Sequence, residues 1–152
     1  MKASSSDRIQ KTVLLNASRP RVWRALTDSG EFGQWFRVKL ENRFAPGETT
    51  TGFVTYPGYE HLNFQVLVER MDAEHYFSFR WHPYAVDPEV DYSGEPTTLV
   101  EFKLEAVSQG TRLTVTESGF DQLPEKRRSE AFRMNDGGWT TQCENIRKHV
   151  DS

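Results

Sequence analysis

Residues 124–150 read PEKRRSEAFRMNDGGWTTQCENIRKHV. Within them Phe132, Trp139, Cys143, Ile146 and Val150 recur at steps of 7, 4, 3 and 4. That spacing places them on one face of a helix. A helix over Pro124–Val150 would run to roughly 40 Å, long for a globular protein. Propensity alone does not hold such a helix in water, so a broad apolar surface must lie beneath it. The Gly137-Gly138 pair falls in its middle. Each glycine costs about 1 kcal/mol relative to alanine. Either a strand approaches closely there, or the helix leaves room for a ligand.

The rest of the chain supplies the surface. Arg8–Asn16 reads as a first strand. Ser18 reads as a helix N-cap with Pro20 tolerated in the first turn, and Val22, Trp23 and Leu26 form a short apolar stripe. Asp28-Ser29-Gly30 breaks that helix, and Glu31–Phe36 forms one more turn. After this the pattern is β up to Ser118. Strands are predicted over Val38–Phe44, Thr49–Tyr56, Leu62–Met71, His75–His82, Thr98–Val107 and Thr111–Glu117. In several of them apolar and polar residues alternate, as Phe64, Val66 and Val68 do against Asn63, Gln65 and Glu69. One apolar face per strand and short links describe an antiparallel sheet covered on one side. The fold class is therefore α+β, a sheet wrapped on a long C-terminal helix. The expected organisation is one domain over residues 8–150, with residues 1–7 disordered. A cavity between helix and sheet is expected, because one helix covers less than the inner surface of such a sheet.

Composition bounds the function. The chain has 152 residues, a net charge of −3, and no block of like charge longer than three. This argues against nucleic acid as a partner, and Lys126-Arg127-Arg128 reads as a solvated helix face. The apolar fraction is only 36%, but ten Phe, five Tyr and four Trp give a core large pieces to bury. With one cysteine there is no internal disulfide. No apolar run reaches the length of a membrane span, and the polar first seven residues lack a signal-peptide pattern. The cytoplasm is the default expectation. Pro83–Pro96 has no periodicity, and a loop of that length is usually functional or mobile.

Few residues carry chemistry. His61, His75, His82 and His149 form no metal-ligand spacing, and no metal or cofactor is expected. Cys143 sits on the apolar stripe with no base near it in sequence, so it reads as a buried hydrophobe. Glu117 shares the inward face of Leu113 and Val115. It is either a polar anchor or proton carrier in a cavity, or a strand-end carboxylate reaching water or an arginine. Asp136 falls on the inward stripe between Phe132 and Trp139, and either joins Glu117 or is a solvated carboxylate. Trp35, Phe64, Phe79, Trp81, Phe102, Val115, Phe132, Trp139 and Cys143 complete the expected lining. No catalytic residue is assigned, since no nucleophile elbow, phosphate loop or nucleotide fingerprint is present.

Four stretches in order carry a family resemblance. They are Ala17-Ser18 with Val22-Trp23-Arg24-Ala25-Leu26-Thr27-Asp28 and Gln34-Trp35-Phe36; Pro96-Thr97-Thr98-Leu99-Val100 with Phe102; Gly110 through Phe120; and Gly137-Gly138-Trp139 ahead of Cys143, Ile146 and Val150. Together they resemble the activator-of-Hsp90-ATPase-like family, within the START and Bet v 1-like helix-grip superfamily. The resemblance implies a sheet gripping the C-terminal helix around a deep apolar cavity. It also implies three functional classes: a binding module for a small hydrophobic or amphipathic molecule, a domain that meets a chaperone or other protein, or a cyclase- or dehydratase-type enzyme using cavity carboxylates. The eukaryotic namesake uses an additional N-terminal domain, which is not expected in the 152 residues here. Cys143 stands where leucine is expected and His149 where tyrosine is common, either shaping the cavity for its own ligand or as drift. The binding module is the leading expectation.

Overall fold

Every strand of the meander pairs with its neighbour in sequence, and the first strand pairs with the last. The computed structural model describes residues 7–87 and 89–151. Its elements are β1 (Arg8–Leu15), α1 (Arg19–Thr27), α2 (Ser29–Phe36), β2 (Val38–Leu40), β3 (Thr49–Val54), β4 (Asn63–Asp72), β5 (Tyr76–Trp81), β6 (Thr98–Val107), β7 (Gly110–Ser118) and α3 (Glu125–Asp151). A short 3-10 turn, Phe120–Gln122, precedes α3. The sheet order is β1-β7-β6-β5-β4-β3-β2, with every pairing antiparallel. This is the helix-grip arrangement anticipated from the alternation.

Local chemistry sets the boundaries. Ser18 caps α1 by accepting from Arg21 N–H at 3.3 Å. Asp28 closes α1, and its side chain caps α2 by accepting from Glu31 N–H at 2.9 Å. Ser29 and Gly30 therefore lie inside α2 rather than in a break. Helix α2 ends with Arg37 in the left-handed region, φ 70°. There the chain doubles back so closely that a Cβ on Gly33 would sit 2.4 Å from the Val38 carbonyl oxygen. Glycine at 33 thus fixes how α2 presents Phe36. The second strand is shorter than the Val38–Phe44 expected. Asn42 supplies the reason: its side chain donates to Thr49 O and accepts from Thr51 N–H, standing in for ladder bonds.

The inner face of the sheet carries Phe77 and Phe79, Val100 and Phe102, and Leu113 and Val115, all buried. Helix α3 lies over them with Ala131, Trp139, Cys143, Ile146 and Val150 buried. The buried stripe thus enters at Ala131. Phe132, expected on it, is half-buried and packs edge-on against Phe120 at 5.3 Å. The helix phase differs from the sequence reading by about one position at its start.

Two expectations about charge and order change. Arg127, read as solvated, donates to Glu95 at 2.9 Å and to the carbonyls of Pro83 and Tyr84 at 3.0 Å. Its guanidinium also lies 4.7 Å from the Tyr92 ring centroid. It pins the loop after β5 to α3. Of the residues expected to be disordered, 1–6 lie outside the described residues. Asp7 accepts from the backbone N–H groups of Gly119, Phe120 and Asp121.

Candidate functional site

Register brings three inward side chains to one end of the sheet. Trp81 pairs with Thr98 across β5 and β6, while Phe79, Val100 and Glu117 align across β5, β6 and β7. From above, Asn135 and Trp139 descend from α3 four residues apart, on one helix face. All converge on Glu117, which is fully buried. Its Oε2 accepts from Trp81 Nε1 at 2.7 Å and from Thr98 Oγ1 at 2.5 Å. Its Oε1 accepts from Trp139 Nε1 at 2.8 Å. Asn135 Nδ2 bridges both oxygens, at 3.0 and 3.2 Å. A carboxylate offers about four lone-pair sites and no donor, which is what this donor set answers. All its hydrogen-bond partners are neutral, and among the described residues no Lys, Arg or His forms an ion pair with Glu117.

The two indoles held by Glu117 stack, with centroids 5.8 Å apart. Phe36 stands beside both, at 6.0 Å from Trp81 and 6.1 Å from Trp139. Beside these packed rings opens a hollow of about 160 Å³, completed by Asn135, Gly138 and Gln142. Gln142 fastens its rim by donating to the Phe36 carbonyl at 3.1 Å. A Cβ on either Gly137 or Gly138 would meet nothing within 4 Å. No strand therefore approaches the glycine pair closely, and Gly138 leaves space in the hollow. A second hollow of about 200 Å³ shares Phe36, Trp81 and Asn135, and continues over Phe64, Val54 and Leu62 to Tyr84. A third, of about 410 Å³ and more polar, adjoins it beneath the loop after β5, among His61, Asn63, His82 and Asp91. The three form one groove, open at the end of the sheet.

This geometry replaces the deep cavity expected. Phe79 and Phe102 have no solvent exposure, and Val115 and Cys143 are also buried. Their side chains fill the interior between helix and sheet. Burial pushes the Cys143 thiol up to about 11, far from a thiolate at neutral pH. Trp35 is locked by donating to Ala25 O at 2.8 Å and does not line the groove. Asp136 turns away from Glu117 and pairs with Lys11 at 3.0 Å, about half exposed. Of the residues named from sequence, Phe64, Trp81 and Trp139 line the groove and Glu117 stands directly behind it. Sequence reasoning missed Phe36, Thr98, Asn135 and Gln142. For Asn135 the signal was its place four residues before Trp139.

A second polar cluster ties the helices together. Glu31 accepts from Arg21 and Arg24, each at 2.7 Å, and lies 2.9 Å from His149 Nε2 on α3. Burial alone would raise the Glu31 carboxyl. Hydrogen bonds from His149, Arg21 and Arg24 outweigh it and hold the group down at about 2. Among the described residues, no three His, Cys, Asp or Glu side chains are grouped to hold a metal ion. Nor is any described helix long and apolar enough to cross a membrane.

The family model for Activator of Hsp90 ATPase homolog 1-like protein matches residues 16–151. The chain belongs to this family. As an activator-of-Hsp90-ATPase-like protein it has many structural neighbours at low identity. A Mesorhizobium loti protein, MLL2253, shares 20% identity and a TM-score of 0.74 over 95% of this chain and 96% of that one. A protein from Arthrobacter aurescens shares 16% and a TM-score of 0.78, covering 99% and 90%. DynU16, described as a putative protein in the dynemicin biosynthetic locus, shares 23% and a TM-score of 0.74. The match to it covers 96% of this chain and 48% of DynU16. At these identities the likeness is one of fold, the START and Bet v 1-like helix grip. No curated protein matches the chain.

Proposed function

We propose that this activator-of-Hsp90-ATPase-like chain is a binding protein for a small amphipathic molecule, seated in the groove at the end of the sheet. The observation that carries the reading is the half-exposed aromatic wall of Phe36 and Trp81 beside Gly138, with Trp139 buried against it. A concave, ring-lined hollow with a few fixed polar groups is the usual form of a small-molecule site. Phe64, Val54 and Leu62 extend the apolar floor, and the polar hollow beyond them leaves room for hydrophilic substituents.

Acid–base catalysis fits the geometry less well. Every acceptor position of Glu117 is occupied by a neutral donor, so it has no free lone pair for a substrate proton. Asp136, the other candidate carboxylate, pairs with Lys11 instead. The role this leaves for Glu117 is to orient two indoles. A partner-protein reading needs a contiguous apolar patch. Among the described residues, the exposed large apolar side chains are instead spread over β1 (Leu14), β3 (Phe53), β4 (Leu67), α3 (Met134) and the loops (Tyr56, Tyr59 and Val90), and the one ring contact among them joins Tyr56 and Tyr59 at 5.7 Å.

The test is intrinsic tryptophan fluorescence titrated with a panel of short-chain alcohols and ring compounds. Saturable quenching or a spectral shift is expected. It should be lost in Gly138→Leu, whose side chain would fill the hollow. No saturable signal across the panel would refute the reading.

A further inference from the structure

We propose that the hollow beside Phe36, Trp81 and Trp139 is a seat for an organic cation, a substituted ammonium group. This rests on the groove being a binding site and names the chemistry of what enters its inner end. Two independent observations point to a positive charge. The first is the ring arrangement: the half-buried rings of Phe36 and Trp81, 6.0 Å apart, line one side of a hollow of about 160 Å³, and the buried Trp139 packs on both at 6.1 and 5.8 Å. Aromatic faces attract cations through their quadrupole, and such cages are a recurrent solution for alkylated ammonium groups. The second is the charge immediately behind those rings. Glu117 is fully buried and, among the described residues, bonded to neutral donors only. A buried carboxylate without a cation leaves a negative potential in a medium that screens it poorly.

The two features reinforce each other. Both indole N–H groups donate to the carboxylate, at 2.7 and 2.8 Å. Hydrogen bonds to an anion polarise the donor, which leaves the indole faces richer in electron density. Asn135 joins the layers, since it bonds both Glu117 oxygens and also lines the hollow. Lys11 is taken up by Asp136. Among the described residues, no cationic side chain lines the hollow. A ligand cation would therefore complete a charge pair that the fold leaves open. The hollow has the dimensions of a head group, while the adjoining hydrophobic floor suits the rest of the molecule.

The experiment compares two probes of nearly equal shape, choline and its neutral carbon isostere 3,3-dimethyl-1-butanol, by NMR titration of the Trp81 and Trp139 indole N–H signals. Choline is expected to bind at least tenfold more tightly, about 1.4 kcal/mol. Glu117→Gln should reduce that ratio below threefold. If this variant fails to fold, Phe36→Leu, which removes one wall, should lower choline affinity severalfold while changing the alcohol little. Equal binding of the two probes overturns the cation seat but leaves the groove a binding site. No binding of either, nor of any panel compound, overturns both. With choline bound, competition by phosphatidylcholine vesicles assigns a lipid head group and its absence a free cation, each in keeping with the seat.

Discussion

The glycine pair in α3 offers a test that separates stability from binding. Gly137 and Gly138 both sit in helix interior, where alanine is favoured over glycine by about 0.8 to 1 kcal/mol. At neither position would a Cβ meet another atom within 4 Å, so no steric penalty offsets the gain. Gly137→Ala and Gly138→Ala should each stabilise by about 0.5 to 1 kcal/mol, partly by narrowing the unfolded ensemble. In a chain of this size that is about 2 to 4 °C in Tm per kcal/mol. The two variants should part in ligand titrations. Gly138 borders the hollow, and a methyl group there takes up space in front of Trp139; Gly137 does not border it. Urea titration and choline binding on both variants decide the matter. The expected pattern is two stabilised proteins, with binding weakened severalfold in Gly138→Ala alone. Destabilisation by either substitution would mean that the helix face is not open. Unchanged binding in Gly138→Ala would mean that the ligand does not occupy the hollow.

Four further outcomes follow from named contacts. Glu117→Gln turns one carboxylate oxygen into an N–H donor facing indoles that can only donate. Each orphaned group costs about 1 to 3 kcal/mol, so a loss of about 2 to 4 kcal/mol is expected in denaturant titration; a loss below 0.5 would contradict the convergence. Trp139→Ala removes a buried ring packed on Phe36, Trp81 and Phe102, and should cost about 3 to 5 kcal/mol, again read by urea unfolding. Because Glu31 is held at about 2 in the folded protein against 4.5 unperturbed, its contribution is complete above about pH 4.5 and is lost as the pH falls toward 2. With solvent screening that contribution is about 1 to 2 kcal/mol, and Glu31→Gln should flatten acid unfolding in this window; an unaltered profile would rule it out. Cys143 should resist alkylation at pH 8 until the protein unfolds, and labelling as fast as that of a free thiol would show that its burial is wrong.

Alternation made the sheet legible because it is a property of each strand alone. The register of β5, β6 and β7 follows once their inward faces are known, and it places Glu117 inside as its parity with Leu113 and Val115 required. What escaped depends on phase and on distant pairings. A stripe drawn through Phe132 or through Ala131 fits the same helical period, yet the difference decides whether Asp136 or Asn135 faces Glu117. Here Lys11, on a strand more than a hundred residues earlier, draws Asp136 outward. Arg127 looked solvated because its partners, Glu95 and the carbonyls of Pro83 and Tyr84, lie in a loop without periodicity. The cavity was overestimated for a related reason. Spacing identifies inward rings but not whether they fill the space they face.

The closing of the sheet by its first strand sets a timetable for synthesis. Residues of β1 find their partners in β7, as Arg8 does opposite Ser118. A ribosome adding about 5 to 20 residues per second exposes β1 for about 5 to 20 seconds before β7 is made. Through that interval Ile9 and Leu15, both buried in the end, face water. The hairpins from β3 to β6 can form meanwhile, each from neighbours already released. The last event joins the two ends of the chain, and such long-range closure slows folding. Two nascent chains close together meet this interval at once, and exchange of β1 between them would use the same register that closes each alone.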